Sequence, residues 1–279
     1  MRSEPAVLLV KWGGSLITDK TATEAVQDDV LRRLAAELGS VIESSGGRVI
    51  LGHGSGSFGH AAAADGGWPA GGEAPSLETL SKTQDAAARL HRVVIAALLE
   101  AGMAPFSVAP GSFATAHGDG LAWFYSEPIE RALSAGLLPV TFGDVILDAV
   151  GGARVLSTER AFLSIAPSLM ARGYRLAGAY WLGATDGILD SRGRTIPEIA
   201  LDGSQSVAAG LLETGAGAGV RDVTGGMKHR LDSALELARI GVPSWILDGR
   251  SEGALERALD RQPGGTRIFP GRSRRKHGS

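Results

Sequence analysis

The sequence predicts an α/β fold in three layers, an αβα sandwich with helices on both faces of a mostly parallel open sheet. Two observations carry that expectation. Apolar runs such as Ala6–Val10 and Val49–Leu51 are continuous rather than alternating, the pattern of strands covered on both faces. Segments with helical periodicity separate these runs, so strands alternate with helices and a parallel sheet follows. In such folds ligands bind beyond the carboxyl ends of the strands. The glycine-rich turns of this chain fall at those ends.

Taken in order, the first strand runs into Lys11-Trp12-Gly13-Gly14-Ser15, a glycine turn with a lysine at its mouth. A second lysine stands in Ile17-Thr18-Asp19-Lys20, readable as an exposed loop cation or as charge neutralisation beside an anion. From Asp28 to Ser44 the apolar residues Val30, Leu31, Leu34, Ala35, Leu38, Val41 and Ile42 have the spacing of an amphipathic helix, which Gly46-Gly47 ends. The next strand opens into Gly52-His53-Gly54-Ser55-Gly56-Ser57-Phe58-Gly59-His60, with four glycines in the eight residues from Gly52 to Gly59. Without a Cβ, backbone N–H groups can close around an anion, and a following helix N-terminus adds partial positive charge. Gly66–Pro75, rich in glycine and proline, reads as a mobile loop over that site.

A long helix spans Ser76–Ala101 and carries His91 at a structural or surface position; a strand over Met103–Val108 follows. The segment Pro110–Tyr125 holds Phe113, Trp123, Phe124 and Tyr125, which either line an apolar pocket or fill core. Leu137–Phe142 is another strand, ending at Gly143-Asp144, and the residues from Val145 to Leu156 read as a hairpin at the sheet edge. Ser157-Thr158-Glu159 caps a helix running to about Ala171, where a glutamate in the first turn has an ordinary dipole explanation. The second half repeats the theme: a strand over Leu176–Leu182, the turn Gly183–Gly187, a helix around Gln205–Leu212, Thr224-Gly225-Gly226-Met227 opening a helix to Ile240, then strands Pro243–Leu247 and Thr266–Phe269. Lys228 and Arg230 stand early in that helix, where the dipole disfavours cations; a polyanionic ligand supplies the reason for them.

Composition narrows the function classes. In 279 residues, 28 basic side chains nearly balance 30 acidic ones, which argues against a nucleic-acid binder that relies on overall charge. The absence of cysteine excludes disulfides and thiol chemistry and fits a reducing interior. No apolar run approaches the length of a membrane span and the N-terminus lacks a signal-like segment, so a soluble cytoplasmic protein with no membrane partner is expected. The tail Gly271–Ser279, with Arg272, Arg274, Arg275 and Lys276, reads as a basic disordered end.

Six segments occur together in the order and spacing of one family. Lys11-Trp-Gly-Gly-Ser15, Thr18-Asp-Lys20, Gly56-Ser-Phe-Gly-His60, Phe142-Gly-Asp144, Thr185-Asp-Gly187 and Thr224-Gly-Gly-Met227 resemble the amino acid kinase superfamily. Gly-Ser-Phe-Gly-His resembles its isopentenyl phosphate kinase branch, of which the fosfomycin kinases are close relatives. The resemblance spans roughly Val7 to Asp248 and implies one domain over residues 1–270. Its acceptor side is expected at about 1–172, its ATP side at about 173–270. It implies ATP and Mg²⁺, a small-molecule phosphate acceptor and a homodimer.

Residue by residue, the resemblance assigns charge neutralisation to Lys11 and Lys20, and donors to the Gly13, Gly14, Ser15 and Gly56 region. It places Ser55, Gly56, Gly59, His60 and Thr158 around the acceptor. Asp186 and Gly187 are expected near the nucleoside; Gly225, Gly226, Lys228 and Arg230 near the phosphates. His60 would hydrogen-bond the acceptor phosphate, best as imidazolium. Ser55 stands where glycine or alanine is usual, and His53 departs mildly from the commonest pattern. Relatives have aspartate where Glu159 stands, a carboxylate that holds the catalytic cations, and lysine where Arg230 stands. Guanidinium does not replace ammonium in geometry; either the two changes compensate, Lys228 takes over, or activity is weakened or redirected.

An acceptor that is itself a phosphate monoester is anionic at neutral pH, so transfer needs positioning and charge cancellation and no general base. Three readings follow. One is an ATP-dependent kinase acting on isopentenyl phosphate or a similar alkyl phosphate, by direct in-line transfer. Another is a phosphonate kinase of the fosfomycin type, and the third a nucleotide-binding regulatory protein with weakened catalysis.

Overall fold

The computed structural model describes residues 6–19, 21–46, 48–68, 74–118, 120–190, 192–201 and 225–271. Chain order begins with β1 (Val7–Trp12), the short α1 (Gly14–Ile17), a small hairpin of β2 (Thr18–Asp19) and β3 (Ala25–Val26), then α2 (Asp28–Ser45), β4 (Arg48–His53), α3 (Gly56–Asp65) and α4 (Leu77–Glu100). The middle holds β5 (Pro105–Ser107), β6 (Ala114–His117), β7 (Gly120–Phe124), α5 (Glu127–Ser134), β8 (Leu138–Phe142), β9 (Asp144–Asp148), β10 (Gly152–Leu156) and α6 (Thr158–Ala171). The last part contains β11 (Leu176–Gly183), β12 (Glu198–Leu201), α7 (Gly225–Arg239), β13 (Ser244–Asp248), α8 (Ala254–Leu259) and β14 (Thr266–Pro270). The expected helix at 205–212, Lys20, Thr224, residues 69–73 of the expected loop and the tail from 272 lie outside the described residues.

Eight strands form the main sheet in the order β12-β14-β13-β11-β1-β4-β8-β5. From β13 to β5 the neighbours are all parallel, while β14 pairs antiparallel with β13. β1 lies inside the sheet and is buried along its whole length, as its uninterrupted apolar run predicts.

The two-residue repeat of a strand sorts its side chains between two cores. Val7 and Leu9 of β1, Ile50 of β4, and Ala179 and Trp181 of β11 join the core beneath α6 and α7, with Phe162, Leu169, Leu231 and Leu235. Leu8, Val10 and Trp12, Val49 and Leu51, and Tyr180 and Leu182 face the opposite core with α2 and α4, where Leu34, Leu38, Leu90 and Leu98 pack. This is the predicted sandwich, and its parity positions the site. Lys11 follows Leu9 onto the α6/α7 face, and so does Gly183 after Trp181. Gly52 faces α6 as well: a Cβ there would lie 2.2 Å from Thr158 Cγ2 and 3.0 Å from Phe162. His53 points the other way, to α4.

The expected edge hairpin is present as β9 and β10, but it belongs to a second sheet, β10-β9-β6-β7. β6 and β7 come from the aromatic segment, which carried no strand signal in the sequence because glycines and a polar turn interrupt it. Phe113 is core, meeting Phe124 edge-on at 5.7 Å between ring centroids, whereas Trp123 and Tyr125 stack on each other at the surface. Among the described residues no helix is long and apolar enough to cross a membrane.

Candidate active site

The carboxyl ends of β1, β4 and β8 deliver their loops to one cleft of about 840 Å³. Its floor is two glycine loops in backbone contact. A Cβ on Gly14 would lie 2.5 Å from the Gly56 nitrogen, and one on Gly54 2.8 Å from the Gly14 nitrogen, so a side chain at either position would drive the loops apart. Gly56 also has φ +54, a left-handed conformation glycine adopts without strain. Thr18 ties the loops together: its hydroxyl donates to the Gly14 carbonyl at 2.8 Å and accepts from the Ser57 N–H at 3.0 Å.

α3 and α6 begin at the cleft, the first with Ser55 and Gly56, the second with Ser157, Thr158 and Glu159. The leading N–H groups of a helix have no intrahelical partner and carry the positive end of the dipole. Two such ends on one cavity suit an anion. Ser157 caps α6 by accepting from the Arg160 N–H at 3.3 Å. Thr158 lines the cleft, but its hydroxyl donates to the His53 carbonyl at 2.6 Å; what it offers a ligand is backbone rather than hydroxyl.

Three charges meet at the rear of the cleft. Lys11, Glu159 and Arg230 are 6 %, 7 % and 8 % exposed, and the Lys11 ammonium is paired with the Glu159 carboxylate. Burial pushes the Glu159 carboxyl up, but the Lys11 charge and hydrogen bond, the residue's own backbone N–H and the Arg230 charge together hold it below the usual range. Desolvation lowers the Arg230 guanidinium, and Glu159 opposes that shift. Lys11, Glu159 and Arg230 thus bring two positive side chains and one negative to the lining of the cleft, a balance that suits an anionic ligand.

Beneath the second glycine loop two histidines stack with Phe142, His91 at 4.1 Å and His53 at 5.7 Å between centroids. His53 Nδ1 lies 3.0 Å from the Gly54 carbonyl, His53 Nε2 3.0 Å from His91 Nδ1, and His91 Nε2 2.7 Å from the Ser107 hydroxyl. A carbonyl only accepts, so His53 donates from Nδ1; it must then accept from His91 Nδ1–H, which leaves His91 Nε2 to accept from Ser107. Burial keeps both rings neutral, pushing His53 down to about 4 and His91 down to about 3. The chain of bonds braces the loop from behind. His91 is thus structural, as its position on the helix suggested.

The structure brings Lys11, Gly13, Gly14, Ser15, Ser55, Gly56, His60, Thr158, Glu159 and Arg230 to this single cleft, His60 being exposed on α3. It does not bring Gly59, Asp186, Gly187 or Lys228 to the lining. Gly59 is buried within α3, where a Cβ would meet the Ser55 hydroxyl at 2.6 Å. Asp186 borders a smaller recess with Asp248, Ser251, Arg257 and Gly265, accepting from the Gly265 N–H at 3.1 Å, and Gly187 packs on Thr266. Gly225 and Gly226 open α7, and Lys228 is exposed on it. Lys20 lies outside the described residues.

Lining residues that motif reading passed over are Thr21, Ala22, Thr23, Ser57, Ala61, Val155, Ser157 and His229. His229 had a signal, since it stands between Lys228 and Arg230 at a helix start. Val155 had none; its place depends on where the second sheet packs. The four aromatic residues from Phe113 to Tyr125 do not line the cleft.

The sequence model of the amino acid kinase family matches residues 6–248. The chain is 32 % identical to the isopentenyl phosphate kinase of Methanothermobacter thermautotrophicus over 281 residues, covering 94 % of this chain and 98 % of that protein. It is 33 % identical to the isopentenyl phosphate kinase of Haloferax volcanii over 241 residues, 86 % of this chain and 91 % of the relative. Among solved structures, one of isopentenyl phosphate kinase superposes with a TM-score of 0.75 at 27 % identity, over 94 % of this chain and all of the other.

Proposed function

This chain belongs to the amino acid kinase family, and from that premise we propose that it is an ATP-dependent kinase converting isopentenyl phosphate, or a similar small alkyl monophosphate, to the diphosphate. The observation that carries the proposal is one cleft shared by Lys11, His60 and Arg230, floored by two glycine loops in backbone contact. Such a cavity answers the central difficulty of the reaction, which is to hold two mutually repelling polyanions in line.

In the transfer, an oxygen of the acceptor's phosphate forms a bond to the γ-phosphorus of ATP as the bond to the β,γ-bridging oxygen breaks, and ADP leaves with that electron pair. The nucleophile is already anionic, so none of the cleft residues need act as a base. Lys11 and Arg230 offset charge on the transferring group while Glu159 holds both in place. His60 donates to the acceptor phosphate from the other wall, and Ala22, Ala61 and Val155 give the lining apolar surface for a short alkyl chain. Among the described residues no three His, Asp or Glu side chains gather where they could hold a metal, and Glu159 is committed to Lys11. Mg²⁺ would therefore enter on the nucleotide, neutralising its phosphate oxygens. The homodimer implied by the resemblance, and the cytoplasmic location expected from the sequence, belong to the same proposal.

The test is a coupled ADP-release assay with isopentenyl phosphate, dimethylallyl phosphate, fosfomycin and a carboxylate acceptor. Turnover highest on an alkyl monophosphate is the expected result. Turnover on fosfomycin or the carboxylate alone, or ATP binding with no turnover, rejects the assignment.

A further inference from the structure

Gly183, the last residue of β11, has no backbone reason to be glycine: it lies in a regular strand and not in the left-handed region. What it provides is room. A Cβ placed there would lie 2.0 Å from Arg230 Nη1, 2.9 Å from Cζ and 3.3 Å from Nη2. The guanidinium of Arg230 on α7 therefore approaches the strand end by Nη1, in the space a side chain would fill. Strand parity puts Gly183 on the same face as Lys11 and Glu159, and Glu159 interacts electrostatically with Arg230. Gly13 touches the same spot: its N–H donates to the Leu182 carbonyl at 2.8 Å, and a Cβ on it would lie 3.5 Å from the Gly183 Cα. The guanidinium is thereby held beside the first phosphate loop.

We propose that Gly183 is a positioning residue matched to Arg230, and that glycine at the end of β11 is what allows arginine, in place of a lysine, to reach the transferring phosphate. The inference rests on the phosphotransferase reading above. Its physical basis is width. A guanidinium is a planar fork, whereas an ammonium on an unbranched stem passes through a narrower gap. Alanine at 183 would displace the far end of a flexible side chain rather than backbone, so the fold survives and the charge moves. A misplacement of about 1 Å near the reacting atoms can lower turnover by roughly 100-fold.

The experiment compares the full-length wild type, Gly183→Ala, Arg230→Lys and the double variant by kcat and KM in the ADP-release assay, by melting temperature, and by calorimetric affinity for Mg-ATP. Expected is a kcat lowered about 10- to 100-fold by Gly183→Ala when residue 230 is Arg, with little change in acceptor KM or melting temperature, and little or no loss from the same change when residue 230 is Lys. An equal loss of kcat in both backgrounds, no loss with Arg, or an equal drop in melting temperature with no difference in turnover overturns the pairing. If wild type does not turn over isopentenyl phosphate, the substrate reading fails. The pairing is then decided by whether Gly183→Ala weakens Mg-ATP affinity with Arg but not with Lys.

Discussion

Glu159→Gln keeps the shape of a buried side chain and removes its charge. Lys11, 6 % exposed, then keeps its buried charge without the carboxylate it is paired with, and Arg230 loses the attraction of Glu159. Breaking a buried pair by removing one partner's charge destabilises by about 3–5 kcal/mol, because the remaining charge has lost its solvent and its countercharge. For a chain of 279 residues the unfolding entropy at the midpoint is roughly 0.6 kcal/mol per degree, so the expected fall in melting temperature is about 5–8 °C without ligand. Mg-ATP should reverse part of that fall, since its phosphates supply the missing negative charge and bind the native state alone. Differential scanning calorimetry with and without Mg-ATP reads both effects, and turnover should drop by about 100-fold as the two cations lose their position. A melting temperature equal to that of the wild type, or a deficit that Mg-ATP does not reduce, would refute the three-charge arrangement.

His60→Ala should lower kcat on isopentenyl phosphate by about 100-fold while leaving Mg-ATP affinity and melting temperature unchanged, because the ring is exposed on the acceptor wall; unchanged kcat removes it from the mechanism. Acid should also destabilise the fold. His53 and His91 stay neutral in the native state down to about 4 and about 3, so below pH ~6.5 the unfolded chain takes up two protons that the native one refuses, and stability falls with pH. Asp144 acts oppositely: burial raises its carboxyl to about 6, so the native state holds a proton there that the unfolded chain releases above pH ~4. For these three groups the net difference is one proton, a loss of about 1.4 kcal/mol per pH unit between pH ~6 and ~5 that steepens toward pH ~4 as carboxylates held low in the native state, such as Glu159, take up protons in the unfolded chain; urea unfolding at several pH values reads it. His91→Gln should flatten that slope; an unaltered slope would show that the buried histidines do not set it.

Local pattern carried far in this chain. The apolar run of β1 and its glycine turn, and the glycines of the second loop, were readable, because local burial pattern and backbone freedom are properties of a few consecutive residues. The helix over Asp28–Ser45 and its end at Gly46, whose φ is +56, were readable for the same reason. Less was legible where identity depends on a distant partner. Nothing near Glu159 in the sequence says that its carboxylate will meet an ammonium 148 residues away, nor that the hydroxyl of Thr158 is taken by the His53 carbonyl. The second sheet escaped notice because its short strands are stabilised by pairing across long separations, and with it went the place of Val155 in the cleft and of Trp123 at the surface.

Residues in a window specify what element they form and which side it buries; strand order specifies which buried sides meet. Lysine, glutamate and arginine could each be named from motifs, but their convergence required β1, α6 and α7 to pack on one face of the sheet. That packing is a sum of many weak non-local contacts, and no window of the chain contains it. Gly183 is the plainest instance: in sequence it is one glycine of forty, and against Arg230 it is the space a guanidinium occupies.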